Sequence, residues 1–175
     1  EADGITLYHG DCLEIDAWLG GDVLVTDPPY GVAYVSNYAP TRPIVGDDDP
    51  QVRNLALQAW GDRPALVFGS WKVPRPTNTR HRLVWAKGDS PGMGDLKLPW
   101  GPGDEEIYVM GDGWTGTRTT NVLTIPTIPS QAAHRPAHPT PKPLPLMETL
   151  MEKSPPGTVV DPFAGSGSTL LAARN

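Results

Sequence analysis

The sequence predicts a mostly parallel α/β sheet with helices on both faces, and three observations lead there. "DVLVTD" (22–27) is a near-continuous apolar, β-branched run, the pattern of a strand buried on both faces. Such runs alternate with helical stretches, "PQVRNLALQAW" (50–60) before "ALVFGS" (65–70) and "LMETLMEKS" (146–154) before "GTVVDPF" (157–163). The chain has 175 residues without internal repeats. That length suits one domain, which buries roughly 70% of its unfolded surface.

The elements follow in order. "ITLYHGD" (5–11) reads as a short strand ending in a turn. "DCLEIDAWLGG" (11–21) fits a short helix, with Leu13, Ala17 and Trp18 on one face and Gly20-Gly21 closing it. After the strand 22–27, residues 31–50 form a polar loop that carries Asp47, Asp48 and Asp49 ahead of Pro50. Beyond the helix 50–60 and the strand 65–70, "HRLVWAK" (81–87) is another strand, and 88–104 is rich in Gly and Pro. "EEIYVMG" (105–111) alternates like a strand nearer the sheet's edge, and "TTNVLTIP" (119–126) extends or flanks it. A proline-dense segment, "IPSQAAHRPAHPTPKPLP" (128–145), precedes the helix 146–154 and the strand 157–163. "AGSGST" (164–169) is a glycine loop, and "TLLAARN" (169–175) opens a final helix.

Composition narrows the classes. A hydrophobic content of 38% with six Trp supports a core, while 19 Gly and 21 Pro imply long loops rather than a fibrous or unfolded chain. The single Cys12 excludes an internal disulfide framework and a Cys-rich zinc site, and no metal is expected. No apolar run reaches 18 residues and "EADGITLYHG" lacks the regions of a signal peptide, so a soluble cytoplasmic protein is expected. The net charge of −6 argues against nucleic-acid binding. Its distribution argues the other way. Lys72, Arg75, Arg80, Arg82 and Lys87 follow one another with no acid between, and Lys72, Arg75, Arg80 and Arg82 are candidate phosphate contacts. A solvated basic loop is the alternative.

Two stretches carry chemistry. "DPPY" (27–30) directly follows a buried strand, where a turn alone needs neither the acid nor the ring. "DPFAGSGST" (161–169) follows another, and its glycines let the backbone approach a ligand closely. It is no P-loop, since no Lys precedes the Ser/Thr. Nor is it a GxGxxG loop, because position 170 is Leu.

Together with "YHGDCLEI" (8–15) and "HPTPKP" (138–143), these stretches resemble the amino-methyltransferases of DNA. That family moves a methyl group from S-adenosylmethionine to an exocyclic nitrogen. The resemblance covers nearly the whole chain, and the motif order, "DPPY" first and glycine loop last, looks like the permuted β group. It implies a Rossmann-like methyltransferase fold with circularly permuted motif order, double-stranded DNA as partner and a bacterial or phage origin. A homodimer and a cognate restriction enzyme are further partners it allows.

The resemblance assigns the catalytic role to Asp27, Pro28, Pro29 and Tyr30. An exocyclic amino nitrogen is a poor nucleophile because its lone pair is delocalised into the ring. The Asp27 carboxylate and the Pro28 carbonyl, accepting its hydrogens, favour the pyramidal nitrogen of the transition state. The prolines stiffen the backbone, and Tyr30 offers a flat face to a base turned out of the duplex. The first position favours adenine N6, since "SPPY" is the commoner form with cytosine-N4 targets. Cytosine-C5 chemistry is excluded, because Cys12 lies in "GDCLE" and not after a proline. Protein-directed relatives favour Asn at the position of Asp27, and a non-catalytic DNA-binding or assembly module on a degenerate methyltransferase fold is the remaining alternative.

For the cofactor, the resemblance implies Asp161 facing the methionine amino group, with Phe163, Ala164, Gly165, Ser166, Gly167, Ser168 and Thr169 around it. Asp11 and Cys12 belong to the adenine end, and Thr140 and Lys142 to the carboxylate end, where Pro141 replaces the family's usual Gln. Two departures stand out. The family continues past the position of Asn175 into a strand ending in an acid that grips the ribose hydroxyls, so the C-terminal part of the fold is expected to be missing. The interval 112–137 is short for a target-recognition segment, which shifts readout to the loops 36–50, 72–80 and 88–103 or to a partner chain.

Overall fold

The computed structural model describes residues 4–31, 49–88, 92, 94–129 and 141–174. Among the described residues, six strands form one sheet in the order β5-β3-β4-β2-β1-β6. They are β1 (Val23–Thr26), β2 (Ala65–Gly69), β3 (His81–Ala86), β4 (Asp104–Met110), β5 (Val122–Thr124) and β6 (Val159–Val160). β4 pairs antiparallel with β2 and with β3, and the other three pairings are parallel, so five of the strands point one way.

β1 is buried at every position, as its apolar run requires. Side chains alternate between the two faces of a sheet, and the core divides accordingly. On one face Val23, Val25, Phe68, Trp85 and Ile107 pack with Leu146, Met147 and Leu150 of helix α2 (Leu144–Met151) and Ala172 of helix α3 (Ser168–Arg174). On the other, Leu24, Val67, Tyr108 and Met110 pack with Trp18 and with Ala56, Leu57 and Trp60 of helix α1 (Gln51–Trp60). Trp18 stacks on Trp60, ring centroids 6.0 Å apart. Helices thus cover both faces, as expected.

Three elements differ from expectation. Residues 5–11 form no strand beyond an isolated bridge at Ile5. The stretch 11–21 is helical only as the 3-10 turn Ala17–Gly20. There the Asp11 side chain accepts from the Leu13 amide at 2.8 Å, and its carbonyl accepts from both Glu14 and Ile15, which closes a local turn instead of a helix. β4 lies in the middle of the sheet rather than near its edge, with Ile107 and Tyr108 fully buried. β5 takes the edge beside β3.

Candidate active site

The register brings the two motifs together. Val23 and Leu24 of β1 face Val159 and Val160 of β6 in parallel, so "DPPY" and "DPFAGSGST" leave neighbouring strands at the same end. β1 is flanked on its other side by β2, so the chain diverges from this strand in two directions. Open α/β sheets bind ligands at such a point, beyond the carboxyl ends of the strands.

A side-chain hydrogen bond joins the motifs. The buried Thr26 hydroxyl donates to Asp161 Oδ1 at 2.6 Å, and the Phe163 amide donates to the same oxygen at 3.0 Å. Burial pushes the Asp161 carboxyl up to about 6. Bonds from Thr26, Thr169 and the Phe163 amide pull against that rise, and the nearby charge of Asp27 adds to it. In the loop, Gly165 and Gly167 have φ of 49° and 79°, and a Cβ at Gly167 would meet no atom within 4 Å. That is an open cradle, with Ser166 and Ser168 sharing a 3.0 Å hydroxyl contact on its rim.

Asp27 is held on both oxygens. Oδ1 accepts from the Tyr30 hydroxyl at 2.6 Å, and Oδ2 lies 2.7 Å from Lys142 Nζ. Burial and the charges of Asp27 and Glu105 raise the Tyr30 phenol well above its ordinary range, so it stays a donor. Pro28 is buried, and Pro29 and Tyr30 are half-buried. Lys142 enters from the proline segment directly before α2 and is 7% exposed, its Nζ 4.8 Å from the Phe68 ring centroid. It also forms an ion pair with Glu105 Oε2 at 3.0 Å, and Lys87 Nζ reaches Glu105 Oε1 at 2.6 Å. Thus the lysine expected at the cofactor's carboxylate end has its ammonium against the Asp27 carboxylate.

β4 accounts for Glu105. Because this strand is antiparallel, its first residues lie at the end where the parallel strands finish, with Glu106 opposite Gly69. Successive residues face opposite ways. Glu105 shares the face of Ile107 and α2, and Glu106 shares that of Tyr108 and α1. Sequence reasoning singles out neither Glu105 nor Lys87 nor Thr26 as a site residue. The one available signal is the run of three acids, Asp104 to Glu106, that opens an otherwise apolar strand.

Glu106 gathers the basic stretch. Arg75 grips it through Nη2–Oε1 at 2.8 Å and Nε–Oε2 at 3.3 Å, Arg82 Nη1 reaches Oε1 at 3.0 Å, and the Tyr108 hydroxyl donates to Oε2 at 2.8 Å. Burial alone would raise the Glu106 carboxyl, but the bonds from Arg75, Tyr108 and Arg82 outweigh it and hold it at about 2. Arg80 pairs with Asp112 and donates to the Gly111 carbonyl. Lys72 is exposed beside the exposed Trp71, its Nζ 6.0 Å from the ring centroid.

This division predicts separable effects. Replacing Arg75 and Arg82 together by Ala leaves the nearly buried Glu106 carboxylate with the Tyr108 hydroxyl but without its cations, and is expected to lower stability clearly more than Arg80→Ala does. Arg80→Ala, which removes an exposed pair, costs under ~1 kcal/mol. Urea denaturation of these variants checks this, and equal, small costs would contradict it.

Asp11 is exposed and caps its own turn, and the half-buried Cys12 gives its carbonyl to Trp18 Nε1 at 2.9 Å. Burial raises the Cys12 thiol, and the Asp11 charge adds to the rise. Thr140 and the loop 36–48 lie outside the described residues, as does 130–137 of the recognition interval. Among the described residues, no cluster of three His, Cys, Asp or Glu could hold a metal. No helix among them is long and apolar enough to cross a membrane.

Comparison with known proteins agrees with this fold. Residues 104–175 match the family model described as DNA methylase. YubD of Escherichia coli (strain K12), named as a candidate methylase, is 26% identical over 94% of this chain and 78% of its own. The crystal structure of an M1.HpyAVI–SAM complex superposes with a TM-score of 0.64 at 20% identity, over 96% of this chain and 86% of that one. TTHA0409 of Thermus thermophilus, described as a candidate DNA modification methylase, gives 0.54 at 20% identity, over 94% and 82%. With the fold, the paired motifs and the match over β4 to α3 in agreement, residues 104–175 match the DNA methylase family, and the chain as a whole is similar to DNA amino-methyltransferases.

Proposed function

We propose that this protein transfers a methyl group from S-adenosylmethionine to the N6 amino group of an adenine turned out of double-stranded DNA. The observation that carries the reading is the Thr26–Asp161 hydrogen bond, which fixes an amino-group clamp and an open glycine cradle side by side.

The residues present fit the cofactor. Asp161 suits its ammonium, because a carboxyl already raised by burial gains most from a cation beside it. Gly165 and Gly167 leave room for its methionine portion, with Phe163, Ala164, Ser166, Ser168 and Thr169 completing the loop, and Asp11 and Cys12 are proposed for its adenine end. Bound there, S-adenosylmethionine supplies an electrophilic methyl group. Asp27 accepts an amino hydrogen and faces the positive charge that develops on nitrogen, while the Pro28 carbonyl takes the second hydrogen. The nitrogen sheds its surplus proton on the Asp27 side. Tyr30 both holds Asp27 through its hydroxyl and supplies a ring surface for the base. An acid in the first motif position favours adenine over cytosine.

On the DNA side we assign phosphate contact first to Lys72 and then to Arg75, Arg80 and Arg82, whose guanidiniums also serve the protein's own carboxylates.

A pH dependence follows from Asp161. The carboxyl must be ionised to face an ammonium, so affinity for S-adenosylmethionine is full above about pH 6 and falls by up to about tenfold per unit below it. Calorimetry from pH 4.5 to 7.5 measures this, and Asp161→Asn should bind weakly with a flat profile. A flat wild-type profile would remove Asp161 from the cofactor site. The function is tested by offering labelled methyl donor to duplex DNA, RNA and protein. Label in DNA supports the reading, and label confined to RNA or protein overturns it.

A further inference from the structure

Behind Asp27 lies a chain of alternating charge, Asp27–Lys142–Glu105–Lys87, with contacts of 2.7, 3.0 and 2.6 Å. Its inner half is largely closed off from water, since the Lys142 side chain is 8% exposed and those of Glu105 and Lys87 are 21% exposed. Burial by itself would neutralise both Lys142 and Glu105. Instead Asp27 and Glu105 raise the lysine, while Lys142 and Lys87 lower the glutamate. Both therefore stay ionised. A sheltered run of four charges is costly to assemble, and one apolar side chain at Glu105 would pack this sheet as well. Its location against the methyl-transfer centre calls for a role.

We propose that Glu105, held by Lys87, is a positioning residue for Asp27, acting through Lys142; the proposal rests on the methyltransferase reading. A lysine ammonium has three donors. Given Asp27 alone as a partner, a buried ammonium would draw fully onto that carboxylate and neutralise the charge that the reacting nitrogen needs. Glu105 attracts the ammonium from its other side and draws it over Phe68. Lys142 then fixes the orientation of Asp27 through Oδ2 without quenching it, and the carboxylate, which accepts about four hydrogen bonds, keeps capacity beside Tyr30 for the amino hydrogen. Lys87 on the far oxygen keeps Glu105 from rotating away. Its own seat is fixed by a backbone bond from the Lys87 amide to the Gly103 carbonyl at 2.8 Å. Two neighbouring acids of β4 divide the work: Glu106 ties down the basic loop, and Glu105 serves the site.

Glu105→Gln tests this, because the amide keeps the shape and removes the charge. Single-turnover methyl transfer should slow by about tenfold or more, with affinities for S-adenosylmethionine and DNA within about twofold. Lys87→Met should move the rate in the same direction by less, and Glu105→Asp should recover part of the loss. In a Lys142→Met background the further effect of Glu105→Gln should shrink to under about twofold, since the two act through one path. An unchanged rate in Glu105→Gln, additive effects with Lys142→Met, or loss of substrate affinity equal to the loss of rate would each overturn the proposal. A second measurement does not need activity: acylation of Lys142 by a small reagent should be slow in the wild-type protein and several-fold faster in Glu105→Gln. Equal labelling in both would overturn the network itself. Wild-type protein that protects Lys142 yet transfers no methyl group would uphold the network and overturn the function.

Discussion

Asp27→Ala lowers methyl transfer by at least about 10²–10³-fold and leaves S-adenosylmethionine affinity within a few-fold, the loss expected when a preorganised group facing transition-state charge is removed. In the proposed reading Asp27 meets the target's amino group, and the carboxylate of the glycine loop, Asp161, keeps its own partners, Thr26 and the Phe163 amide. The fold should survive, because Lys142 retains Glu105 at 3.0 Å and the Phe68 ring. Asp27→Asn is the stricter companion. It preserves volume and offers an amide donor where an acceptor is needed, so it should be nearly as impaired. Single-turnover kinetics with calorimetry separates the two quantities. If cofactor affinity fell as far as turnover, the division between clamp and cradle would be wrong.

Gly167→Val does the reverse, removing cofactor binding before anything else. At φ of 79° a β-branched residue is strained by about 1–3 kcal/mol. Its side chain enters space where no protein atom lies within 4 Å of the Cβ. The Cβ itself meets no protein atom, so beyond the backbone strain the expected clash is with a ligand in the cradle. Gly61 provides the control, with φ of 76° and equally open surroundings at the end of α1. Gly61→Val should lower stability and leave cofactor affinity intact. Unchanged affinity in Gly167→Val would place the methionine portion elsewhere.

The parts legible in sequence are those with one local cause. β1, β2 and α1 follow from apolar runs whose period admits one reading, and "DPPY" and "DPFAGSGST" are recognisable because both follow buried strands. β4 reads as nearer the edge because its residues alternate from the opening acids Glu105 and Glu106 onward, yet it lies between β2 and β3. Both acids are neutralised by cations distant in sequence, Lys142 and Lys87 on one face and Arg75 and Arg82 on the other. Periodicity cannot register a counter-ion that arrives from another segment. The basic stretch shows the same limit from the other side. No acid lies within it, but the register sets Val84 of β3 opposite Glu106 and brings one to it. Lys142 is recognisable by its motif, whereas its contact with Asp27 depends on where the proline segment meets the end of β1. The 3-10 turn at Ala17–Gly20 replaces a helix because Asp11 satisfies the first amides locally, a competition that apolar spacing alone does not weigh.

The central claim is that an acid-first clamp at the end of β1 methylates an exocyclic amino nitrogen of DNA. Mass spectrometry of nucleosides from duplex DNA incubated with the protein and deuterated S-adenosylmethionine tests it directly. The predicted product is N6-methyladenine carrying the deuterated methyl group, absent with Asp27→Ala. Label on C5 of cytosine, or N6-methyladenine formed equally well by Asp27→Ala, would contradict it.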